Sequence, residues 1–405
     1  MTSSTVLSPH AIPAHVDPAL VRDFDYYQIP GADIDPHAAW IKLQDGPRII
    51  FTPHHGGHWI VTRGEDVATC LRDYTRFSSF PGGIPKEKTP VKMPPVNIDP
   101  PEHRAYRMLL AARFSPRTVA QMETGIRELT VSLIEDFRAR GHCDFVGEFA
   151  FRMPVDVFMQ LAALPASDRD WLLERVETSM RNPDMAVGVP ATQDLLGYIG
   201  KVVAERRANP GDDLLSHIAT ADIDMDGGRR LTDEELVAMG LLLLFAGLDT
   251  VASTLTFIAR FFTTHPDALR TLHADRTRVP DAIEELIRRH GVPCLTRSVI
   301  ADMEFQGVAM KKGDLVLVPV FMHGLDPEQF TDPTTVQFDR EKPHIGFGVG
   351  EHRCVGSHLA RMELRIFMEE WLDRIGTFTV RPGTTPRCGT GSVLSVQQLE
   401  LCWPV

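Results

Sequence analysis

The sequence FGVGEHRCVG, residues 347–356, is the stretch of this chain that most restricts its fold. It places Cys354 in a glycine-rich loop. The segment that follows repeats apolar residues at helical spacing, among them Leu359, Met362 and Phe367. Unpaired backbone N–H groups at the start of a helix would stabilise a thiolate there, and glycine lets the backbone approach a flat ligand closely. A buried cysteine at a helix start would explain a lone cysteine, but not the whole ten-residue pattern.

A long apolar helix is predicted upstream of this loop. It begins at Thr232, where Glu235 three residues later completes a capping-box pattern, and it ends at His265, before a proline. Its middle, residues 241–246, is apolar on all sides, which is typical of a helix that crosses the centre of a large protein.

The sequence AGLDT, residues 246–250, puts an acid and a hydroxyl into this apolar helix. Thr250 could bond back to the carbonyl of Ala246, and Asp249 could form a buried pair with an arginine. Neither interpretation explains the small Ala-Gly pair beside them, which leaves room for something to lie against the helix.

A further helix is predicted to start near Pro280 and carries Glu285 and Arg288. Their spacing of three puts carboxylate and guanidinium on one helix face. Taken alone, this is most often an ordinary surface pair.

Composition excludes several classes of protein. Of the 405 residues, 43% are apolar and 24% are charged, which are globular values, and the net charge of −12 argues against nonspecific nucleic-acid binding. Six scattered cysteines without a CxxC pair are neither a disulfide framework nor a zinc ribbon. No signal peptide is recognised, and the longest apolar run, 237–248, is too short to span a bilayer. The expected location is the cytoplasm, with no membrane anchor.

The pattern along the chain predicts one mainly helical domain with a minor β part (α+β), residues 1–405. Residues 1–35 form an extended lead-in, and 80–101, with seven prolines, form a long loop. A β-hairpin is predicted around 49–62, where three histidines (54, 55 and 58) stand with no acidic residue nearby in the sequence. Strands are expected over 305–319, and a last helix over about 356–374.

These motifs together resemble the cytochrome P-450 superfamily of heme-thiolate monooxygenases. The cysteine loop resembles its heme-binding loop, Glu285-x-x-Arg288 its helix-K pair, and residues 246–250 its oxygen-activation motif. Residues 99–102 and 312–314 resemble the bacterial camphor monooxygenase group most closely. The resemblance implies a P-450 fold with a long central helix over heme b, and O2 as co-substrate.

The resemblance also assigns roles to individual residues. Cys354 matches the axial thiolate and metal ligand, whose electron donation favours O–O cleavage. Asp249 and Thr250 match the catalytic proton-delivery pair, and Glu285 and Arg288 become a structural pair tied to the segment near Arg340. The other expected heme contacts, with the cationic ones opposite the propionates, are His103, Arg107, Ala246, Gly247, Arg297, Phe347, Gly350, His352 and Gly356.

The expected substrate pocket departs from the camphor group. Those relatives use a tyrosine in the long loop to hydrogen-bond a ketone, whereas Val91 stands at the matching position here, and Phe245 adds bulk on the central helix. The other expected lining residues are Met93, Val96, Leu242, Leu295 and Val393. We therefore expect the 80–101 loop to cover a small apolar cyclic substrate, such as a terpenoid or norisoprenoid, rather than camphor.

The chain contains no recognisable flavin or iron–sulfur segment, so the resemblance implies electrons from a small ferredoxin and its NADH-dependent reductase. Because ferredoxins are acidic, a cationic patch on the cysteine side must oppose the net charge. The candidates are Arg104, Arg107, Lys342, Arg353 and Arg361. The alternatives are a heme-thiolate peroxygenase that uses H2O2, or a non-catalytic heme-binding sensor.

Overall fold

The computed structural model describes residues 12–86, 91–181, 185–225, 227–341 and 343–405. Its helices are α1 (Pro36–Ile41), α2 (Gly64–Arg72), α3 (Glu102–Arg113), α4 (Pro116–Ala120), α5 (Glu123–Arg138), α6 (Arg152–Leu161), α7 (Arg169–Arg181), α8 (Met185–Ala208), α9 (Leu214–Thr220), α10 (Asp233–Thr264), α11 (Pro266–Ala274), α12 (Val279–Arg289), α13 (Phe321–Gly324) and α14 (Ser357–Arg374). Its strands are β1 (Ile49–Thr52), β2 (His58–Val61), β3 (Phe77–Ser78), β4 (His142–Asp144), β5 (Asp222–Ile223), β6 (Arg229–Arg230), β7 (Cys294–Val299), β8 (Met303–Phe305), β9 (Val308–Met310), β10 (Leu315–Pro319), β11 (Thr379–Val380), β12 (Arg387–Gly389), β13 (Ser395–Gln398) and β14 (Glu400–Cys402).

The predicted central helix is confirmed as α10. The Thr232 side chain accepts the N–H of Glu235, and the Glu235 carboxylate accepts the N–H of Thr232, so the capping box is complete. Glu235 also accepts the Tyr106 hydroxyl at 2.6 Å, which ties α3 to the start of α10. The helix has the length and hydropathy of a membrane span, but half of that window is buried, and α10 packs against α6, α8 and α14. It is a core helix.

The largest sheet joins distant parts of the chain in the order β1-β2-β10-β7-β3. The predicted hairpin is confirmed, with β1 and β2 antiparallel, and β10 runs parallel to β2. This pairing supports the proposed single domain, because residues near 50 and near 317 share one sheet. On β7, Leu295 and Arg297 lie on the same face because strand side chains alternate.

The lead-in corrects the prediction for the histidines of the hairpin. His54 Nε2 lies 2.6 Å from Asp23, and His55 Nε2 lies 2.7 Å from Asp25, so acidic residues are close after all. The sequence separation of about thirty residues hid these partners. Within the described residues, no group of three or more ligating side chains is arranged to hold a metal ion.

Glu285 and Arg288 on α12 are a buried structural pair, not a surface pair. Arg288 Nε donates to Glu285 at 2.6 Å, and Arg340 Nε donates to the same carboxylate at 3.1 Å. Arg288 also donates to the carbonyls of Gly324 and Pro333. Removing one partner of such a buried pair costs ~3–5 kcal/mol, so this network holds the segment that leads into the cysteine loop.

Buried histidines predict a loss of stability in acid. Burial lowers the pKa of His37 to about 4 and that of His58 to about 3, and it lowers the pKa of His290 well below its ordinary value. Unfolded histidines bind protons near pH 6.5, so the unfolded state gains protons first, and stability falls as the pH falls from about 6.5 towards 4. For His37 alone the loss approaches about 3 kcal/mol.

Urea unfolding of the heme-loaded protein between pH 7.5 and pH 5 measures this loss. In His37→Asn, the free energy of unfolding should depend less steeply on pH, because the number of protons taken up on unfolding falls by close to one when a buried titrating group is removed. An unfolding free energy that stays level over this range would contradict the prediction.

Candidate active site

The cysteine loop is shaped by close packing against α2. Gly350 has φ +79°, and a Cβ at this position would lie 3.0 Å from Cα of Arg72, so only glycine fits. The N–H of Cys354 donates to the Phe347 carbonyl at 2.8 Å, which closes the loop just before α14. The predicted start of the last helix at Gly356 is confirmed, with Gly356 as its N-cap.

Cys354 lies two residues before Gly356, the N-cap of α14. Its side chain is exposed, yet the surrounding protein atoms are dense enough that burial raises its pKa. The N–H of Gly356 and the charges of Arg107 and Arg361 act in the opposite direction. The donors and charges that the sequence analysis expects to stabilise a thiolate act in that direction, but burial outweighs them for the free thiol.

The face of α10 opens in the middle of the core. Leu244 and Leu248 are buried, but Ala246 and Gly247 are exposed, and no atom lies within 4 Å of a Cβ built at Gly247. The Thr250 hydroxyl donates to the Ala246 carbonyl at 2.9 Å, so the back-bonded arrangement is the one present. The small residues create room beside a hydroxyl and a carboxylate, as the sequence predicted.

Two guanidinium groups, those of Arg297 and Arg107, have no counter-charge of their own among the described residues. Arg297 is only 5% exposed and donates to the carbonyl of Thr296. Within the described residues, no carboxylate lies in ion-pair range of Arg297 or of half-buried Arg107, and burial lowers the pKa of both. A buried unpaired cation is costly, so these residues fit an anionic ligand such as the two propionates of heme.

His103 and His352 lie close to these arginines, since the charge of Arg107 acts on His103 and the charge of Asp99 acts on Arg297. We call the group of His103, Arg107, Arg297 and His352 the polar wall. Their ring centroids are 4.4 Å apart, and His352 Nε2 lies 3.6 Å from Asp99 Oδ1. Both ring nitrogens of buried His103 lack a hydrogen-bond partner, which leaves a donor for a ligand oxygen. Burial lowers the pKa of His103 to about 4, so its imidazole is neutral at pH 7.

Asp99 is a site residue that the sequence did not single out, although its segment carried part of the family resemblance. Burial would raise the pKa of Asp99, but His352, Ser78 and the N–H of Ser79 outweigh burial and lower it to about 2. The ionised carboxylate therefore holds the His352 ring at the edge of the site.

The residues predicted to line the substrate pocket fall into three groups. On α10, helical spacing places Leu242 and Phe245 on the side that opens at Ala246. A β-bridge between Pro293 and Val393 brings Val393 beside β7, which carries Leu295. In the long loop, Val91 and Val96 are exposed and Met93 is half-buried.

The predicted cationic patch is smaller than expected. Arg104 and Arg353 are exposed, but Arg361 forms a two-bond ion pair with Glu284 and is not a free surface charge. Lys342 lies outside the described residues. The contact between Gly350 and α2 adds Arg72, an exposed arginine at the end of that helix which the sequence analysis missed.

Comparisons with known proteins identify the family. The family model Cytochrome P450 matches residues 171–396. The chain belongs to the cytochrome P450 family. A probable cytochrome P450 127A1 of Sinorhizobium fredii is 34% identical over 97% of each chain. The erythromycin C-12 hydroxylase of Saccharopolyspora erythraea is 34% identical over 87% of this chain and 91% of that protein.

Solved cytochrome P450 structures confirm the predicted mainly helical fold. The crystal structure of CYP101C1 superposes with a TM-score of 0.91 at 36% identity, covering 98% of this chain and all of the other. The structure of CYP101J2 gives a TM-score of 0.90 at 34% identity with the same coverage. These neighbours support the predicted placement near the camphor monooxygenase group.

Membership of the family establishes the general chemistry. This cytochrome P450 is a monooxygenase that uses heme and O2 and acts on a small molecule. When bound, the heme activates O2, so that one oxygen atom enters the substrate and the other leaves as water. The residues present would fit this cofactor: Cys354 offers a thiol for the iron, and Arg107 and Arg297, which have no carboxylate in ion-pair range among the described residues, offer guanidinium groups for the propionates.

Proposed function

We propose that this cytochrome P450 hydroxylates a small apolar cyclic substrate of the terpenoid or norisoprenoid kind. The observation that carries the proposal is the apolar wall of the site, in which Leu242 and Phe245 border the opening at Gly247. Leu295 on β7 and Val393, whose bridge to Pro293 places it beside that strand, are the proposed lining from the sheet. Such a lining selects by shape, and polar contacts contribute little.

The same proposal assigns the heme contacts residue by residue. Cys354 would supply the thiolate that holds the iron, with Phe347 and Gly350 shaping its loop and Gly356 donating to its sulfur. Ala246 and Gly247 let the flat cofactor and O2 approach α10. The propionates are received by the donors of the polar wall, namely His103, Arg107, Arg297 and His352.

Protons reach the reaction site through Asp249 and Thr250 in this proposal. The apolar lining excludes bulk water once substrate is bound, so a dedicated donor is needed. Rotation of the Thr250 side chain turns its hydroxyl from the Ala246 carbonyl towards the open space beside Gly247. Asp249, the preceding residue on α10, is partly exposed and can carry a proton inward from the solvent side.

The long loop, residues 80–101, is proposed to cover the bound substrate. Asn97 braces it: its side-chain oxygen accepts the N–H of Met93 at 2.6 Å, and its side-chain N–H donates to the Val91 carbonyl at 2.8 Å. Val91 itself is 66% exposed. Because its side chain is a hydrocarbon, this position offers no hydroxyl to bind a ketone. Residues 87–90 lie outside the described part of the chain.

A ligand screen tests the substrate proposal. The heme-loaded protein is titrated with cyclic terpenoids, norisoprenoids, camphor, a steroid and a macrolide, and the low-spin to high-spin change of the heme is recorded. We expect saturating, near-complete changes with small apolar rings and little change with the macrolide. Tight high-spin binding of the macrolide or steroid, with none by the small rings, would contradict the substrate class.

A ferredoxin and an NADH-dependent reductase are the proposed electron donors, and the cytoplasm is the proposed location. The supporting observation is that Arg72, Arg104 and Arg353 are exposed on elements around the cysteine loop of a chain whose net charge is −12. An acidic partner is steered to such a patch by charges that salt screens within ~10 Å at 0.1 M.

We predict that Arg353→Glu slows reduction of the heme by ferredoxin about tenfold at low salt. The substitution reverses a charge of the patch that attracts the acidic ferredoxin. The rate for the unchanged protein should itself fall as salt rises, which stopped-flow reduction measures. Arg387→Glu, an exposed arginine on β12, changes the net charge equally and serves as the control. Equal effects of the two variants, or a rate indifferent to salt, would remove the patch from the proposal.

A further inference from the structure

A charged pair beside the cysteine loop is not among the heme or substrate contacts proposed above. Arg361, in the first half of α14, donates to Glu284 on α12 through two parallel bonds, Nε to Oε1 at 2.6 Å and Nη2 to Oε2 at 2.8 Å. Two-bond pairs of this kind fix the guanidinium plane as well as its position. Burial would raise the pKa of Glu284, but Arg361 and His344 outweigh burial and lower it to about 2, so Glu284 stays charged.

This pair contacts the cysteine loop and the residues just before it, at Phe347 through Arg361 and at His344 through Glu284. The Arg361 guanidinium carbon lies 4.4 Å from the centre of the Phe347 ring, so the cation presents its face to the ring and its edge to Glu284. Glu284 also lies 3.2 Å from His344 Nε2, while His344 Nδ1 accepts the N–H of Gly346 at 2.9 Å. Phe347 in turn accepts the N–H of Cys354.

The pair also acts on the sulfur through its field. Arg361 brings a positive charge to the cysteine loop, because its guanidinium carbon lies over the Phe347 ring and the Phe347 carbonyl accepts the N–H of Cys354. Arg353 is exposed to solvent, which screens its charge, whereas Arg361 is partly buried and held rigidly against the ring that lies next to the cysteine.

We propose that Glu284 and Arg361 are positioning residues that set the electrostatic environment of the Cys354 sulfur, and with it the reduction potential of the heme. The inference rests on the proposed ligation by Cys354 and extends it to residues that touch neither heme nor substrate. A fixed cation near the thiolate stabilises the electron-rich, reduced state, and the carboxylate opposes that effect while holding the cation in place.

The experiment is an equilibrium redox titration of the heme-loaded protein without ferredoxin or substrate. Arg361→Gln should move the potential to more negative values and Glu284→Gln to more positive values, with partial cancellation in the double variant. Each single change should alter the equilibrium constant between the oxidation states by about threefold to tenfold, tenfold being 59 mV for one electron. Arg361→Lys keeps the charge and should stay near the unchanged protein.

The matched controls lie one turn further along α14. Arg365 is also ion-paired, in its case with two carboxylates, Glu369 and Glu123, and has a similar side-chain exposure of 27% against 29% for Arg361. Arg365→Gln and Glu369→Gln should leave the potential unchanged, because their ion pairs with Glu123 and Arg127 connect α14 to α5 and not to the cysteine loop.

Three results would overturn the proposal. One is a shift in Arg361→Gln no larger than in Arg365→Gln, and another is a shift of the same sign in Arg361→Gln and Glu284→Gln. The third is an unchanged potential in Arg361→Gln with weaker ferredoxin binding alone, which would make Arg361 a docking residue. Failure of the proposed ligation itself is distinguishable, since the unchanged protein would then lack the thiolate-type CO spectrum.

Discussion

Replacing Cys354 by serine is expected to abolish monooxygenase turnover while the protein stays folded. The backbone N–H of Cys354 donates to the Phe347 carbonyl, and the N–H of Gly356 donates to the sulfur. A serine keeps the first bond and offers an oxygen for the second, so the loop keeps its shape. A hydroxyl does not ionise near neutral pH and does not supply the electron donation of a thiolate. The ferrous–CO complex should lose its red-shifted Soret band.

The control for this variant is Cys402→Ser. Cys402 is partly exposed on β14, and its sulfur lies 3.5 Å from the Thr379 hydroxyl, far along the chain from the loop. It should keep both the band and the turnover. A Cys354→Ser protein that retains the red-shifted band would show that another residue ligates the iron.

Changes at Asp249 and Thr250 should separate turnover from coupling. We expect Thr250→Ala to consume NADH and O2 but to release much of the oxygen as H2O2, because the donor that directs protons is gone. Asp249→Asn should slow turnover by ~10²–10⁴-fold, the usual worth of a general acid step, with heme and substrate binding intact. NADH consumption, H2O2 and hydroxylated product are measured together.

Thr254→Ala is the matched control for Thr250. Thr254 lies one turn further on α10 and donates to the Thr250 carbonyl at 2.7 Å, which is the same back-bonded arrangement. A purely architectural role predicts that the two alanine variants behave alike. If both remain fully coupled, and Asp249→Asn turns over at the normal rate, the proton route proposed here is wrong.

The sequence predicts those features that local chemistry determines. The capping box at Thr232 and the proline after His265 mark both ends of α10, and the apolar run between them indicates burial on all sides. The tight turns of the cysteine loop can likewise be predicted from its glycines. Gly350, for example, has a positive φ that other residues adopt only with strain.

The missed features depend on contacts between distant segments. Arg361 pairs with a carboxylate 77 residues away, and nothing local distinguishes it from the other cations among 42 lysines and arginines. The same holds for Asp99 beside His352 and for Asp23 beside His54. The raised pKa of Cys354 also could not be predicted from the sequence, because the burial that raises it depends on all the segments that surround the thiol.

The substrate loop is the least predictable part of the site. Its prolines interrupt any helical or strand period, so a match to relatives depends on counting from Asp99 alone. The structure adds the bracing by Asn97 and the exposure of Val91, which no sequence period indicates. On α10 and β7, by contrast, the regular helix and strand periods fix the side of the element on which each proposed pocket residue lies.

Oxygen-18 labelling tests the account most directly. The heme-loaded protein is given reduced ferredoxin, 18O2 and the ligand that produces the largest spin-state change, and the product is analysed by mass spectrometry. We predict a hydroxylated product that carries one 18O atom, in an amount that matches the electrons delivered. Product that forms only with added H2O2, or that takes its oxygen from water, would contradict the assignment as a ferredoxin-dependent monooxygenase.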